Sequence, residues 1–303
     1  MLSRFFHFVE IRTKIASLLP FLLGLVYSAY TWQTVRLDRT LLFFLSMLLF
    51  DMATTALNNY QDSRSDTTRL PYKRSRAKWI LLILLALAAM TGLLLAWLTG
   101  PVVLAAGALC FAVGILYTFG PAPISRMPLG ELFSGIFMGF FIPFLVIFIN
   151  APAGSLISFS WATPNLALIF NIPGLLRLLL LTIPPICCIA GVMLANNICD
   201  VDYDVQVNRF TLPYYLGKKR ALILFAALYV VSYAAIVLQV AFAVLPVLVL
   251  LTLPTGFLVG KNVSRFIRLQ SKTETFALSV QNLVLIILPI VVLSALSYLT
   301  DLS

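Results

Sequence analysis

Residues 79–98 read WILLILLALAAMTGLLLAWL, twenty residues in a row without a charged side chain. A helix needs about 20 predominantly apolar residues to cross the hydrocarbon core of a bilayer. Four basic residues lie within residues 73–78, directly before this stretch, and Gly100-Pro101 follows it. Because neither Gly nor Pro continues a helix well, that pair predicts a tight turn into the next apolar stretch. We therefore predict a transmembrane helix over residues 79–98.

The rest of the chain has the same character. Of its 303 residues, 61% are hydrophobic and only 11% are charged, whereas about a quarter of a soluble domain is charged. So little charge cannot cover a water-facing surface, and lipid must surround most of the chain. Nine spans are predicted, near residues 15–34, 40–58, 79–98, 101–119, 131–150, 173–195, 219–239, 243–261 and 276–299.

Three stretches allow more than one assignment of the spans. The apolar residues 219–261 are too many for one crossing, so we divide them near Gln239. Residues 151–172 are apolar but broken by two prolines and a glycine, and we predict a loop at the membrane surface. The first span could be a cleaved signal peptide ending near Ser28-Ala29, but it is longer than a usual signal core, which favours a span.

The basic residues indicate the orientation of the spans. With the N-terminus inside, all but three of the 21 Lys and Arg residues fall on the inner side, the exceptions being Arg36, Arg39 and Arg177. Positive residues concentrate in cytoplasmic connections, so the N-terminus is predicted to be cytoplasmic. An anionic inner leaflet also explains the net charge of +10, and no nucleic-acid partner is expected.

A nine-residue pattern occurs twice in the chain. Residues 58–66 read NNYQDSRSD and residues 196–204 read NNICDVDYD, so both fit N-N-x-x-D-x-x-x-D with matched positions 138 residues apart. One copy ends the second predicted span and the other ends the sixth. The duplication predicts an internal repeat with a shared site at the repeat interface.

The repeat defines the expected architecture. Two four-helix units would cover about residues 10–120 and 131–262, and a ninth helix would cover 276–299, within a single transmembrane domain over 1–303.

The spacing within each motif favours metal binding. Residues at i, i+4 and i+8 lie on one face of a helix, so each motif predicts a column of oxygen ligands. The two columns are Asn58, Asp62 and Asp66, and Asn196, Asp200 and Asp204. Facing columns of this kind suit Mg²⁺, which prefers hard oxygen ligands, and the clustered acids would repel one another without a cation.

Basic residues follow each motif. Arg69 and Lys73 trail the first copy, and Arg209 trails the second. Metal ions together with arginine neutralise a diphosphate leaving group. These three residues are therefore the predicted diphosphate ligands. The alternative is that the acids and bases only solvate loops and set the topology.

The double motif, its place after the second and sixth spans, and the nine-helix count resemble the UbiA superfamily of intramembrane aromatic prenyltransferases over nearly the whole chain. The resemblance implies an all-α integral membrane protein with nine transmembrane helices around a central cavity. It also implies that the motifs bind two Mg²⁺ ions and the diphosphate of a polyprenyl donor, with Asp62, Asp66, Asp200 and Asp204 as catalytic residues.

Shorter segments resemble one branch, the 1,4-dihydroxy-2-naphthoate polyprenyltransferases of menaquinone synthesis. Residues 10–14 (EIRTK) look like the opening signature of that branch, and residues 117–124 (YTFGPAPI) with Gly130-Glu131 are similar to two further segments. Asn208 departs from the pattern, since the family usually has Gly before the basic residue at that point.

The branch implies a reaction and an acceptor. A polyprenyl group would pass from polyprenyl diphosphate to 1,4-dihydroxy-2-naphthoate with loss of CO₂, giving demethylmenaquinol, at the cytoplasmic face of a bacterial plasma membrane. The candidate acceptor-binding residues are Lys14, Asp51, Tyr117, Arg126 and Glu131. Lys14 and Arg126 could instead only set the topology, and Asp51 could bond a neighbouring helix.

Other functions stay open. The acidic motifs would bind only the prenyl donor and carry no information on the acceptor, so another acceptor such as 4-hydroxybenzoate or haem is possible. Duplicated halves with intramembrane polar residues are also typical of transporters, here for Mg²⁺ or an anionic solute. A membrane scaffold without a site is the third alternative, but it would not require two matching motifs.

Overall fold

The computed structural model of the chain describes residues 2–63, 70–162 and 165–301. In this part of the chain, nine helices are long and apolar enough to cross a membrane, which confirms the predicted number of spans. They are Ile11–Trp32, Leu37–Asp62, Arg74–Thr99, Pro101–Thr118, Gly130–Asn150, Ile172–Gln206, Lys218–Ala241, Val247–Arg268 and Phe276–Thr300.

The chain divides into two compact units. The first comprises Met1–Leu18 and Arg36–Ile124, and the second comprises Leu19–Val35 and Ser125–Ser303. Helix α2 (Ile15–Trp32) begins in the first unit and continues into the second. The single domain and the repeat bounds suggested by the duplicated motif stay predictions.

The first unit is built around the helix pair α3 (Leu37–Asp62) and α4 (Arg74–Thr99). Besides the start of α2, its other elements are helix α1 (Leu2–Phe8), a 3-10 turn (Ile11–Lys14) and α5 (Pro101–Thr118). Small buried residues let α3 approach α4 closely, notably Ala53 and Ala77, both fully buried. The Ser46 hydroxyl donates a hydrogen bond to the Ala88 carbonyl at 3.0 Å, which joins the two helices inside the apolar region.

Glycine is required at two places in this unit. Gly100 adopts φ +103° and ends α4, and Pro101 opens α5, which confirms the predicted turn. At Gly114, an added Cβ would lie 2.6 Å from the Phe50 ring. That ring stacks on Phe111 with 4.0 Å between ring centroids, so only glycine leaves space for the stack.

The second unit is organised around one long helix. Its helices are α6 (Gly130–Ser134), α7 (Phe141–Asn150), α8 (Ile172–Gln206), α9 (Leu212–Leu216), α10 (Lys218–Ala241), α11 (Thr255–Arg268) and α12 (Phe276–Asp301). A π-helical segment (Gly135–Phe140) joins α6 to α7, and a 3-10 segment (Val247–Thr252) precedes α11.

Helix α8 is longer than a bilayer crossing requires. Its 35 residues correspond to about 50 Å at 1.5 Å per residue, whereas the hydrocarbon core is about 30 Å thick. The sixth span was predicted to end at residue 195, but the helix continues through the second acidic motif. The motif therefore lies on the part of α8 that exceeds the crossing.

Pro184 and Pro185 lie inside α8, where each removes a backbone N–H. The carbonyls that lose a partner are those of Leu180 and Leu181, four residues earlier. The side-chain amide of Gln239 on α10 donates to both, at 2.8 Å and 3.2 Å. A buried side chain thereby satisfies two carbonyl groups that would otherwise lack a donor in an apolar region.

Two segments differ from the sequence predictions. Residues 151–172 were predicted to be a loop, but strands β1 (Ile157–Ala162) and β2 (Asn165–Phe170) pair there as an antiparallel hairpin. The eighth span begins at Val247 instead of residue 243, because Ala243 has φ +50° and residues 242–246 turn away from α10. Otherwise the predicted and observed spans agree apart from their ends.

Candidate functional site

The second acidic motif runs along the last third of α8. Asn196 and Asp200 are partly exposed, and Asp204 is buried. Their four-residue spacing places the three side chains in the predicted column along the helix. Asp202, the additional acid within the motif, is exposed and does not share the four-residue spacing of the column.

A lysine from a distant segment lies on this column. Lys272, between α11 and α12, donates to Asp200 Oδ2 at 2.5 Å and also to Asn196 Oδ1. Its ammonium group lies 5.1 Å from the centroid of the Phe276 ring. In the sequence, Lys272 is only one of the predicted inner-side charges, and no motif or spacing marks it as part of the site.

Asp204 is paired with a residue of the loop that follows α8. Arg209 Nε lies 3.5 Å from Asp204 Oδ1, and the Arg209 backbone N–H donates to the Asp204 carbonyl at 2.8 Å. Neither carboxylate oxygen of Asp204 receives a hydrogen bond from a described residue. A buried carboxylate without donors is suited to bind a further cation.

Asn208 explains how the loop turns back to the helix. It adopts φ +56°, a left-handed conformation that glycine accepts freely and that asparagine tolerates better than most residues. The departure from the glycine usual in the family therefore preserves the local backbone. Arg209 Nη2 also donates to the Ser125 carbonyl at 3.3 Å, and the Phe210 N–H donates to the Arg126 carbonyl at 3.1 Å.

Glu131 is connected to the same motif. The Asn197 side-chain amide donates to Glu131 Oε1 at 2.8 Å, and both residues are buried. The other carboxylate oxygen of Glu131 is buried without a hydrogen-bond partner among the described residues. The structure thus brings two of the predicted acceptor-binding residues near the end of α8: the Glu131 side chain contacts the second motif, and the Arg126 backbone contacts the loop that follows it.

The first motif lies at the end of α3 in the other unit. Asn58 is partly exposed and Asp62 is the last residue of the helix. Asp66 and Arg69 lie outside the described residues. Lys73 precedes the first residue of α4.

Arg74 is the basic side chain that contacts this end of α3. Its Nη1 donates to Ser63 Oγ at 2.8 Å, and its guanidinium group lies 4.2 Å from the centroid of the Tyr60 ring. Arg74 is not among the predicted diphosphate ligands, although its place among the basic residues after the motif was a signal for such a role.

Lys14, which is buried, and Asp51, which is partly buried, form an ion pair in the first unit. The Lys14 ammonium group donates to Asp51 Oδ1 at 2.6 Å, to the Asp51 carbonyl at 3.1 Å and to Thr55 Oγ1 at 2.6 Å. Ser17 donates to the second oxygen of Asp51 at 2.6 Å. An ammonium group has three N–H donors, and these three contacts use all of them. Lys14 would therefore have to break one of these hydrogen bonds before it could bind the carboxylate of the aromatic substrate.

Tyr117 lies partly buried near the end of α5. In the part of the chain that the structure describes, no three carboxylate, imidazole or thiol groups lie close enough together to hold a metal ion without other ligands. The metal-binding, catalytic and acceptor-binding assignments stay predictions.

The chain matches a known protein family over most of its length. The model of the UbiA prenyltransferase family matches residues 17–288. The 1,4-dihydroxy-2-naphthoate octaprenyltransferase of Bacillus subtilis (strain 168) is 32% identical over 241 residues, which are 74% of this chain and 70% of that protein. The protein of the same name from Mycobacterium tuberculosis (strain ATCC 25618 / H37Rv) is 30% identical over 49% of this chain and 44% of its own.

Solved structures have the same fold. The apo structure of a UbiA homologue from Aeropyrum pernix K1 superposes with a TM-score of 0.69 at 22% identity, covering 93% of this chain and 98% of that one. A UbiA homologue from Archaeoglobus fulgidus bound to DMAPP and Mg²⁺ gives 0.60 at 13% identity, covering 96% and 99%. The chain is a multi-pass membrane protein of the UbiA prenyltransferase family.

Proposed function

We propose that this protein transfers a polyprenyl group from polyprenyl diphosphate to 1,4-dihydroxy-2-naphthoate with loss of CO₂, giving demethylmenaquinol. The observation that carries the proposal is the identity of 32% with the Bacillus subtilis enzyme over three quarters of the chain. The same observation supports a role in menaquinone biosynthesis.

The residues of the second motif fit a divalent cation. One positive group, the Lys272 ammonium, already contacts oxygens of both Asn196 and Asp200, so these oxygens converge on one cation. Asp204 adds a buried carboxylate without hydrogen-bond donors among the described residues. Carboxylate and amide oxygens are the ligands that Mg²⁺ prefers, and the Mg²⁺-bound homologue from Archaeoglobus fulgidus supports the choice of metal.

Two Mg²⁺ ions are proposed, and each motif would supply the ligands of one ion. The ligands of the first ion would be Asn58, Asp62 and Asp66, and those of the second would be Asn196, Asp200 and Asp204. When bound, the metal ions neutralise charge on the diphosphate leaving group. Arg69, Lys73 and Arg209 would add hydrogen bonds to the same group, and Asp204 holds Arg209 in place for this through their 3.5 Å ion pair.

The transfer itself needs little from a general base. The allylic carbon–oxygen bond breaks and the diphosphate leaves with the electron pair. The ring carbon that carries the carboxylate forms the new carbon–carbon bond, and loss of CO₂ returns an electron pair to the ring. Water must be excluded from the allylic cation, and the apolar helices provide that exclusion.

The observations that support the proposed acceptor-binding residues differ from one residue to the next. Glu131 keeps one buried oxygen without a partner among the described residues, which suits a hydrogen bond from an acceptor hydroxyl. Lys14 and Asp51 are occupied by each other, and Tyr117 and Arg126 are proposed from the family resemblance. The orientation proposed from the basic residues places the motifs on the cytoplasmic side of the plasma membrane.

The test uses the full chain purified in detergent. We expect prenylated naphthol and CO₂ from polyprenyl diphosphate, 1,4-dihydroxy-2-naphthoate and Mg²⁺, and no product after chelation. Asp200→Asn should lower kcat/KM by about 100-fold or more, as for loss of one group that stabilises a leaving charge. Asp202→Asn is the matched control, since Asp202 is exposed and off the column, and it should retain activity.

Two outcomes would contradict the proposal in different ways. Turnover with 4-hydroxybenzoate but not with the naphthoate would leave the donor chemistry intact and overturn the acceptor. Equal losses for Asp200→Asn and Asp202→Asn would show that the column has no special role in catalysis.

A further inference from the structure

Lys272 occupies the oxygens to which the proposed function assigns a metal ion. Its side chain contacts Asp200 and Asn196 together, which are 72 and 76 residues away along the chain. A lysine is a compact point charge on a flexible four-carbon stem. The ammonium group and a divalent cation compete for these two oxygens, because two positive charges placed on the same pair of oxygens repel each other.

The ion pair has little value for stability. The side chain of Lys272 is 45% exposed and that of Asp200 is 29% exposed, and pairs this accessible to water contribute little to folding. Lys272 can therefore leave Asp200 without disturbing a packed core. Its position beside Phe276 keeps the ammonium group near the motif when the pair opens.

We propose that Lys272 is a diphosphate-binding residue of the donor site that exchanges partners during binding. In the metal-free protein it holds Asn196 and Asp200 in place of the metal ion. When the metal ion binds, Lys272 is displaced and its ammonium group binds the diphosphate that accompanies the metal. This proposal rests on the proposed function, because it assumes that the second motif binds a divalent cation and a diphosphate.

Metal binding without substrate gives the first measurement. Mn²⁺ is titrated into the full chain in detergent and followed by electron paramagnetic resonance. Lys272→Gln should bind Mn²⁺ about threefold more tightly than the unmodified protein, since a partly exposed ion pair competes only weakly. Lys272→Arg keeps the charge and should stay near the unmodified affinity. Lys261→Gln removes an exposed lysine charge from α11 and should leave the affinity unchanged.

Diphosphate binding gives the second measurement. Inorganic pyrophosphate is titrated by calorimetry in the presence of saturating Mn²⁺. Lys272→Gln should weaken its binding about tenfold, the usual effect of losing one charge-assisted hydrogen bond. The substitution would thus move the metal and pyrophosphate affinities in opposite directions, which a residue that only supports the fold would not do.

The outcomes separate this proposal from the proposed function. If Lys272→Gln behaves like Lys261→Gln in both titrations while Asp200→Asn weakens Mn²⁺ binding, the role of Lys272 is overturned and the metal site stands. If Asp200→Asn binds Mn²⁺ as tightly as the unmodified protein, the metal site fails and the proposal fails with it. A gain in metal affinity together with a loss in pyrophosphate affinity supports both.

Discussion

Asn59 and Asn197 occupy the same position in the two acidic motifs and make the same kind of contact. Asn59 donates its side-chain amide to Glu10 at 3.2 Å, and Asn197 donates to Glu131 at 2.8 Å. Glu10 precedes the first span and Glu131 lies at the start of the fifth. Within each unit, the motif helix is thereby attached to the beginning of an earlier span. This likeness supports the predicted repeat.

The contact of Asn197 predicts a stability effect. Asn197→Leu removes the donor to Glu131, which stays buried with neither oxygen bonded to a side chain. Leaving a buried polar group unsatisfied costs about 1–3 kcal/mol, so thermal unfolding in detergent should begin at a lower temperature.

A second substitution tests the cause. Adding Glu131→Gln should recover part of the loss, because a buried amide is less costly than a buried carboxylate. A double variant as unstable as the sum of both single variants would show that the two side chains do not stabilise each other.

Helix α8 shows how one element depends on another. Its two consecutive prolines leave the carbonyls of Leu180 and Leu181 without backbone donors, and Gln239 on α10 supplies both hydrogen bonds. Unsatisfied backbone groups are especially costly inside a membrane, where no water replaces the lost partner. Gln239 is fully buried, which fits a structural donor.

Gln239→Leu should destabilise the protein by about 1–3 kcal/mol because two carbonyls lose their donor. Replacing Pro184 and Pro185 by alanine in that background restores the backbone N–H groups and should recover stability. Gln281→Leu, at an exposed glutamine of α12, is the matched control. Thermal unfolding of the four proteins measures the effect, and failure of the alanines to rescue would argue against the assignment of Gln239.

The β-hairpin exposes apolar side chains on both of its faces. Trp161, Leu166, Leu168, Ile169 and Phe170 are between 48% and 74% exposed, and Leu168 and Ile169 point to opposite faces because side chains alternate along a strand. A two-stranded hairpin of this kind is marginal in water, and its open edges exclude it from the hydrocarbon core. Both limits favour the lipid–water interface, as predicted for this segment.

Trp161 provides the measurement of depth. With the other three tryptophans replaced by phenylalanine and the protein in vesicles, lipids carrying a quencher near the headgroup should quench Trp161 more strongly than lipids quenched near the acyl end. Leu87→Trp in a chain with all four native tryptophans replaced by phenylalanine, at an exposed position of α4, should show the reverse order. Quenching of Trp161 by aqueous iodide but by neither lipid would place the hairpin in water.

The arrangement of charge predicts how the chain lies in the membrane. Nearly all basic residues fall on the side assigned to the cytoplasm, together with both acidic motifs. The segment before α12 would then face the cytoplasm, and the segment between α7 and β1 would face the other side.

Single cysteines test this topology. In a background without the four native cysteines, Ala153→Cys should react with a membrane-impermeant maleimide in intact cells, whereas Glu274→Cys should react only after the cells are opened. Both positions are exposed, so a difference in labelling would not result from burial of one side chain inside the protein. Labelling in the opposite pattern would reverse the proposed orientation.

Features that depend on neighbouring residues were predictable. The nine spans follow from runs of apolar residues, the turn at Gly100-Pro101 from two residues that end helices, and the column of Asn196, Asp200 and Asp204 from helical spacing. Each requires only the residues within one helix or turn, so a single sequence carries the whole signal.

Features that depend on distant segments were not predictable in this way. The contacts of Lys272 with Asp200 and of Gln239 with α8 join residues 72 and 59 positions apart, and the hairpin depends on the pairing of two short apolar strands. No periodic pattern specifies which lysine or glutamine meets which partner, because those contacts arise only when the helices pack. The amino-acid sequence was therefore sufficient for the spans and the motifs, whereas the packing of the helices decided which cation lies on the second motif.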